Sequence, residues 1–200
     1  MDDPRILVCG SRRWPWPETT ATILDRLTAR HGDRLVIIEG AATGAERAAH
    51  RWCTRHQLPA WRHRCHPLAW DAARQRRPRT WHLTGTERTL RILQDEEPRL
   101  VIAFHENFTP VAGDTSHTCL GAILLSIPTW LVSTANPDHG LWLRREHFPG
   151  ARVQQMQARL TATRRNRSPA APAARPDRGE ACDTPPPPGE ASDLLPGSRS

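Results

Sequence analysis

Apolar residues arrive in this chain as short unbroken runs, separated by stretches in which they recur every third or fourth position. The runs are Ile6-Leu7-Val8-Cys9, Leu35-Val36-Ile37-Ile38 and Leu100-Val101-Ile102-Ala103-Phe104. A strand buried on both faces of a parallel sheet has no polar side to show, so it reads as such a run. Ile23, Leu24 and Leu27 fall on one face of a helix predicted over 18–30, behind Pro15 and Pro17, which suit a first helical turn. Ala45, Ala48, Ala49, Trp52 and Cys53 line one face of a helix over 43–56, Leu90 and Leu93 anchor one over 85–95, and Leu120, Ile123 and Leu124 one over 115–125. With further strands at 60–64 and 128–132, strand and helix alternate along the chain.

Such alternation, with right-handed crossovers, defines the α/β class. The expected architecture is Rossmann-like and doubly wound, a mostly parallel five-stranded sheet in the order 3-2-1-4-5. Residues 1–135 form this domain. Residues 136–160 add a C-terminal helical extension, one or two amphipathic helices with Leu141, Trp142, Phe148, Val153, Met156 and Leu160 packing on the core. From 161 to 200 prolines crowd in and Leu194-Leu195 is the only bulky apolar pair, so this tail buries too little to offset its ordering entropy and is expected to be disordered.

The net charge of +7 rests on arginine alone, because the sequence has no lysine. Residues 1–160 keep 22 arginines against 16 acids, a balance of +6, which favours anionic partners. Absence of Lys and Tyr beside abundant Arg, Ala and Pro also fits a GC-rich coding bias. No apolar run nears the ~20 residues of a membrane span, and no signal peptide follows Met1, so a membrane partner is excluded. The five cysteines show no paired spacing and are expected as buried free thiols in a cytoplasmic setting. His63, Cys65 and His66 match no standard zinc spacing, so no metal site is expected.

Ligands of doubly wound sheets bind beyond the carboxyl ends of the strands. Gly10-Ser11-Arg12 follows the first strand and offers an open backbone, a hydroxyl and a guanidinium fork matched to phosphate; a plain turn with solvated arginines is the alternative. Gly40-Ala41-Ala42-Thr43-Gly44 follows the second strand and suits either close backbone approach to an anion or close helix packing. Arg88, near the start of the third helix, can reach the same edge or lie in solvent. Asp114-Thr115-Ser116-His117 opens the fourth helix, where Asp, Thr and Ser also serve as caps and His117 can bond a phosphate or close the first turn. The candidate ligand-binding residues are therefore Gly10, Ser11, Arg12, Gly40, Ala42, Thr43, Gly44, Arg88, Thr115 and His117. Glu39, Glu46 and Glu87 fall nearby, but nothing pairs them into an acid and a base; each reads as a solvated or capping carboxylate, and no catalytic residue is assigned.

These motifs resemble the YspA-type, cpYpsA-related branch of the SLOG superfamily. The Gly-Ser-Arg turn is met by Gly10, Ser11 and Arg12. A Gly-Gly-Ala-x-Gly-Ala-Asp turn is met by Gly40, Ala42, Gly44 and Ala45, with Ala41 and Glu46 as departures. An Arg-Asn pair is half met by Arg88, since Thr89 follows. A Gly-Thr turn is represented by Asp114-Thr115, with Gly113 one place early, and His117 fits a histidine two residues on. The resemblance spans Arg5 to about Val132. It implies a Rossmann-like domain related to lonely-guy phosphoribohydrolases and to DprA proteins, sensing or processing a nucleotide-derived ligand, with no further cofactor assigned.

The leading expectation is a sensory or regulatory module whose partner is a nucleotide-type small molecule. An enzyme processing such a ligand is the alternative, although the Pro-Gly-Gly-x-Gly-Thr loop of the phosphoribohydrolases is absent. A third is DprA-like nucleic-acid binding through Arg62–Arg79, where six arginines alternate with Trp61, Trp70, Trp81 and histidines. A homo-oligomer stays open.

Overall fold

The computed structural model describes residues 3–66 and 81–165. Six strands form one sheet in the order β3-β2-β1-β4-β5-β6. β1 (Arg5–Gly10) lies at its centre, flanked by β2 (Val36–Glu39) and β4 (Leu100–Phe104), with β3 (His63–Cys65) beyond β2 and β5 (Thr129–Val132) beyond β4. These five are parallel, and β6 (Leu141–Leu143) closes the edge antiparallel to β5.

Side chains of a strand point alternately to its two faces, and the unbroken apolar runs fill both. Ile6, Val8, Ile37, Ile102, Phe104 and Val132 meet α1 (Pro17–His31) and α2 (Ala45–Arg55) through Ile23, Leu24, Ala49 and Trp52. Leu7, Cys9, Ile38, Val101, Ala103 and Leu131 meet α3 (Trp81–Glu96), α4 (Asp114–Leu124) and α5 (Gly150–Arg165) through Leu90, Leu93, Leu120, Val153 and Met156. The winding is double, as expected. Each fully buried Val, Leu, Ile or Phe contributes roughly 1.5–3 kcal/mol, so the central strands anchor the turns that follow them.

Three expectations change. A sixth strand stands where the patterning predicts only helix: Leu141–Leu143 pairs with β5, and Trp142 sits opposite Trp130 with ring centroids 4.7 Å apart. That cross-strand aromatic pair gives a three-residue edge strand a hold that its length alone does not. β3 begins at His63 rather than Ala60, because the Pro59 carbonyl accepts the amides of Arg62 (2.8 Å) and His63 (3.0 Å) and keeps 59–62 in a turn. Helix α5 runs to Arg165, past the expected start of the tail at 161; residues 166–200 lie outside the described residues.

Cys9, Cys53 and Cys119 are buried free thiols, as expected, but Cys65 is disulfide-bonded. It sits half-buried on the outermost parallel strand. Among the described residues no helix is long and apolar enough to cross a membrane.

Candidate functional site

The turns after β1 and β2 lie back to back. The Ser11 carbonyl accepts the Ala45 amide at 3.1 Å, so the start of α2 is bonded to the first turn. Between these turns, α3 and the start of α4 opens a narrow crevice, lined by Gly10, Arg12, Ala42, Glu46, Arg88, Thr89, Asp114, Thr115 and Thr118, with Cys9 on its floor. It stands at the carboxyl ends of the central strands, where the patterning places it. A roomier cleft of about 620 Å³ opens at the opposite edge beside Ile6, Leu27 and Leu100.

Five of the ten candidate residues line the crevice: Gly10, Arg12, Ala42, Arg88 and Thr115. The other five serve its walls. Ser11 donates its hydroxyl to Glu106 at 2.9 Å and accepts the Arg13 amide at 3.0 Å, which fixes the first turn. Gly40 and Ala42 donate their amides to one Glu46 oxygen, at 3.0 and 3.1 Å. Glu46 thus caps the second turn from α2, one of the two roles its place in the sequence allows, and takes amides that an anion would otherwise use. Gly44 packs on the backbone of Ser11 and Arg12, and Thr43 stands beside it off the lining. His117 bonds the Gly113 carbonyl through Nδ1 at 2.8 Å, closing the first turn of α4.

Charges in the crevice are arranged in two layers. At the mouth, Arg12 meets Asp114 at 3.2 Å, both side chains about half exposed (50% and 56%). Deeper, Arg88 donates to the carbonyls of Gly40 (2.6 Å) and His66 (3.2 Å), while its buried Nε has no partner among the described residues. Burial pushes the Glu46 carboxyl up, against the downward pull of the Ala42 amide and of the Arg88 guanidinium. The Cys9 thiol is also pushed up, by its hydrogen bond with Cys119 and by burial, and is no nucleophile. Behind α4, Arg152 of α5 donates to the Pro110 carbonyl (2.9 Å) and to Ser116 (3.1 Å), latching the loop that leads into the helix.

Residues 4–72 match the YspA, cpYpsA-related SLOG family. The matched span carries β1 to β3 and both glycine turns, in agreement with the motif resemblance. Arg88, Thr115 and His117 lie beyond it. No curated protein matches the chain.

The acids near the glycine turns part ways. Glu87 is exposed and pairs with Arg91, as a solvated carboxylate should. Glu39 is instead fully buried: His50 Nδ1 and His63 Nε2 share its Oε1 at 3.0 and 3.1 Å, and the Ala41 amide donates to Oε2 at 2.5 Å. Burial would raise this carboxyl, yet the bonds from His50, His63 and Ala41 outweigh it and hold the group at about 2. Of the proposed nucleic-acid segment, 67–79 lies outside the described residues. Within the described part, Arg62 is buried against Asp33 and the Leu35 carbonyl, and Arg64 pairs with Glu96, so both serve the fold.

Sequence reasoning missed Glu46, Thr89, Asp114 and Thr118 as crevice residues. Thr118 follows Thr115 by three residues on α4, a helical spacing that the sequence offers and that puts both on one face.

One expected result isolates Glu46. Glu46→Ala leaves the buried Gly40 amide and the half-buried Ala42 amide without an acceptor and lowers stability by about 2 kcal/mol. Glu46→Gln keeps an acceptor oxygen and removes a charge that burial disfavours, so at neutral pH it melts at or above the wild type. Urea denaturation at pH 7 checks both, and equal losses in the two variants would refute this account of the cap.

Proposed function

We propose that the crevice binds a nucleotide or nucleotide-derived ligand and that the SLOG-family domain works as a sensory module. The observation that carries this is the convergence of Gly10, Arg12, Ala42, Arg88 and Thr115 from two turns and two helices on a single narrow space. Two guanidinium groups and the start of α4 offer an anion charge and donors there. Arg12 turns from Asp114 toward the ligand on binding, since a phosphoryl oxygen is the better bidentate partner. Because Glu46 already takes the Gly40 and Ala42 amides, the proposed anion sits against α4 and the first turn rather than against the second.

A thermal-shift titration of the full chain with nucleoside mono- and diphosphates, ADP-ribose and NAD tests this. A ligand at a hundred times its Kd adds about 2.7 kcal/mol, roughly 5–10 °C for a chain of this size. Arg12→Ala, at an exposed position, leaves the melting temperature of the free protein unchanged and abolishes the shift. A shift with a short oligonucleotide alone would overturn the proposal in favour of a nucleic-acid surface.

A second reading, turnover of the same ligand, is favoured by one observation: burial raises the Glu46 carboxyl in the crevice, as a proton donor requires. Product formation that disappears in Glu46→Gln while the thermal shift persists distinguishes an enzyme from a sensor.

A further inference from the structure

Two buried carboxylates stand near the β2–β3 edge, and they are neutralised differently. Glu96 meets two arginines, Arg5 at 2.5 Å and Arg64 at 3.0 Å, besides His66 at 2.9 Å. Glu39 is the more deeply buried, yet among the described residues it has no arginine partner; His50 and His63 alone face its Oε1. A buried carboxylate balanced by imidazoles has a proton where a divalent cation can stand.

A sulfur completes the set. Cys65 is the register partner of Glu39 across β2 and β3, and its sulfur, a Glu39 carboxylate oxygen and a His50 ring nitrogen all lie within 4.8 Å of one another. The three come from a strand, a helix and a second strand, so the fold itself assembles them. Zinc takes such mixed oxygen, nitrogen and sulfur ligands at about 2.0–2.3 Å. Bringing the three atoms to that distance takes about 1 Å of inward movement, which rotation of a released Cys65 side chain supplies. In its disulfide, Cys65 offers no thiolate.

We propose that reduction of the Cys65 disulfide opens a zinc site formed by Glu39, His50 and Cys65, with His63 holding the carboxylate in place. A dithiol reductant gives two electrons and two protons to the disulfide and closes into its own cyclic disulfide; Cys65 and its partner sulfur each become a thiol. The metal then replaces the Cys65 thiol proton and the proton between His50 Nδ1 and Glu39, releasing both to solvent. Three protein ligands leave a fourth position for water. The site lies behind the Gly40 turn, since the other Glu39 oxygen holds the Ala41 amide, and is separate from the ligand crevice.

Cobalt titration of the full chain tests the proposal. A trialkylphosphine reduces the protein without competing for metal, its phosphorus taking the oxygen of a water molecule while both sulfurs take hydrogens. Reduced wild type binds one equivalent of Co²⁺ with a near-ultraviolet thiolate-to-cobalt band, and equimolar Zn²⁺ displaces it. Cys65→Ser lacks the band, and His50→Gln binds at least ten-fold more weakly. Both positions are half-buried, and melting of the metal-free variants confirms that they fold. Three results would each overturn the proposal: equal binding before and after reduction, the same band in Cys65→Ser, or no binding by reduced wild type beyond that of the two variants.

Discussion

Gly44→Ala destabilises the protein by about 3–5 kcal/mol and lowers its melting temperature by roughly 10 °C or more. Gly44 sits at φ 76°, ψ −120°, a region that residues with a Cβ avoid. A methyl group there would stand 2.1 Å from the Ser11 carbonyl oxygen and 2.6 Å from the Arg12 carbonyl carbon. Both are backbone atoms, and neither can swing aside. They also belong to the turn that accepts the Ala45 amide, so relief of the clash separates the two turns and breaks that bond. Gly113→Ala is the control for conformation alone: its φ is +96°, but among the described residues nothing lies within 4 Å of the added methyl. It costs about 1–2 kcal/mol. Gly150→Ala, with open space and no positive φ, is near neutral. Urea unfolding of the three variants gives the ranking, and a Gly44→Ala protein within about 1 kcal/mol of wild type would sink the back-to-back account of the turns.

The same turns explain how much of the site is legible from the amino-acid order alone. β1, β2 and β4 are buried on both faces, so their composition carries the full signal, and the turns after them locate the crevice. Ala41 departs from the family pattern of a glycine, yet the turn keeps its shape with Ala41 at φ 58°, a strain the neighbouring bonds absorb. β6 is illegible because three residues with Leu141 and Trp142 half exposed leave no period to read; their hold comes from Trp130 across the sheet. Glu39 passes for a solvated or capping carboxylate for a similar reason. Its partners are 11 and 24 residues away, and neither separation is a local pattern that marks a pair. Glu46 is legible as a cap but not as a crevice wall, because that depends on how α2 is rotated about the Gly44 contact.

Acidification from about pH 5 to about pH 2 removes on the order of 4–5 kcal/mol of stability, the larger part from Glu39 and Glu96. Both carboxyls have an ordinary value of 4.5 and are held at about 2 in the folded protein. For Glu96 burial again pulls upward, and the bonds from His66 and Arg64 prevail. A folded value below the unfolded one means that the unfolded chain binds protons first as pH falls. The stabilisation is therefore complete above about pH 4.5 and disappears as pH drops through 2. Full conversion of the two shifts would give about 7 kcal/mol, but Arg5, Arg64 and His66 are each about one-third exposed, and solvent screens their share. His50 acts in the opposite direction. Its hydrogen bond to Glu39 raises it from 6.5 despite burial, so its contribution is complete below 6.5 and fades as pH rises through its folded value. Glu46, raised by burial, likewise favours the folded state at low pH and softens the acid limb. His105 and His117, which burial pushes down, favour the folded state as pH rises and oppose His50, so the steep limb of the profile is the acid one, below about pH 5. Urea midpoints of the wild type as a function of pH trace the profile. In His50→Gln the loss that His50 contributes above about pH 6.5 disappears, and the acid limb shrinks because Glu39 has lost one of the bonds that keep it ionised. A wild-type midpoint unchanged between about pH 5 and about pH 2.5 would mean that neither carboxylate is held by its partners as described.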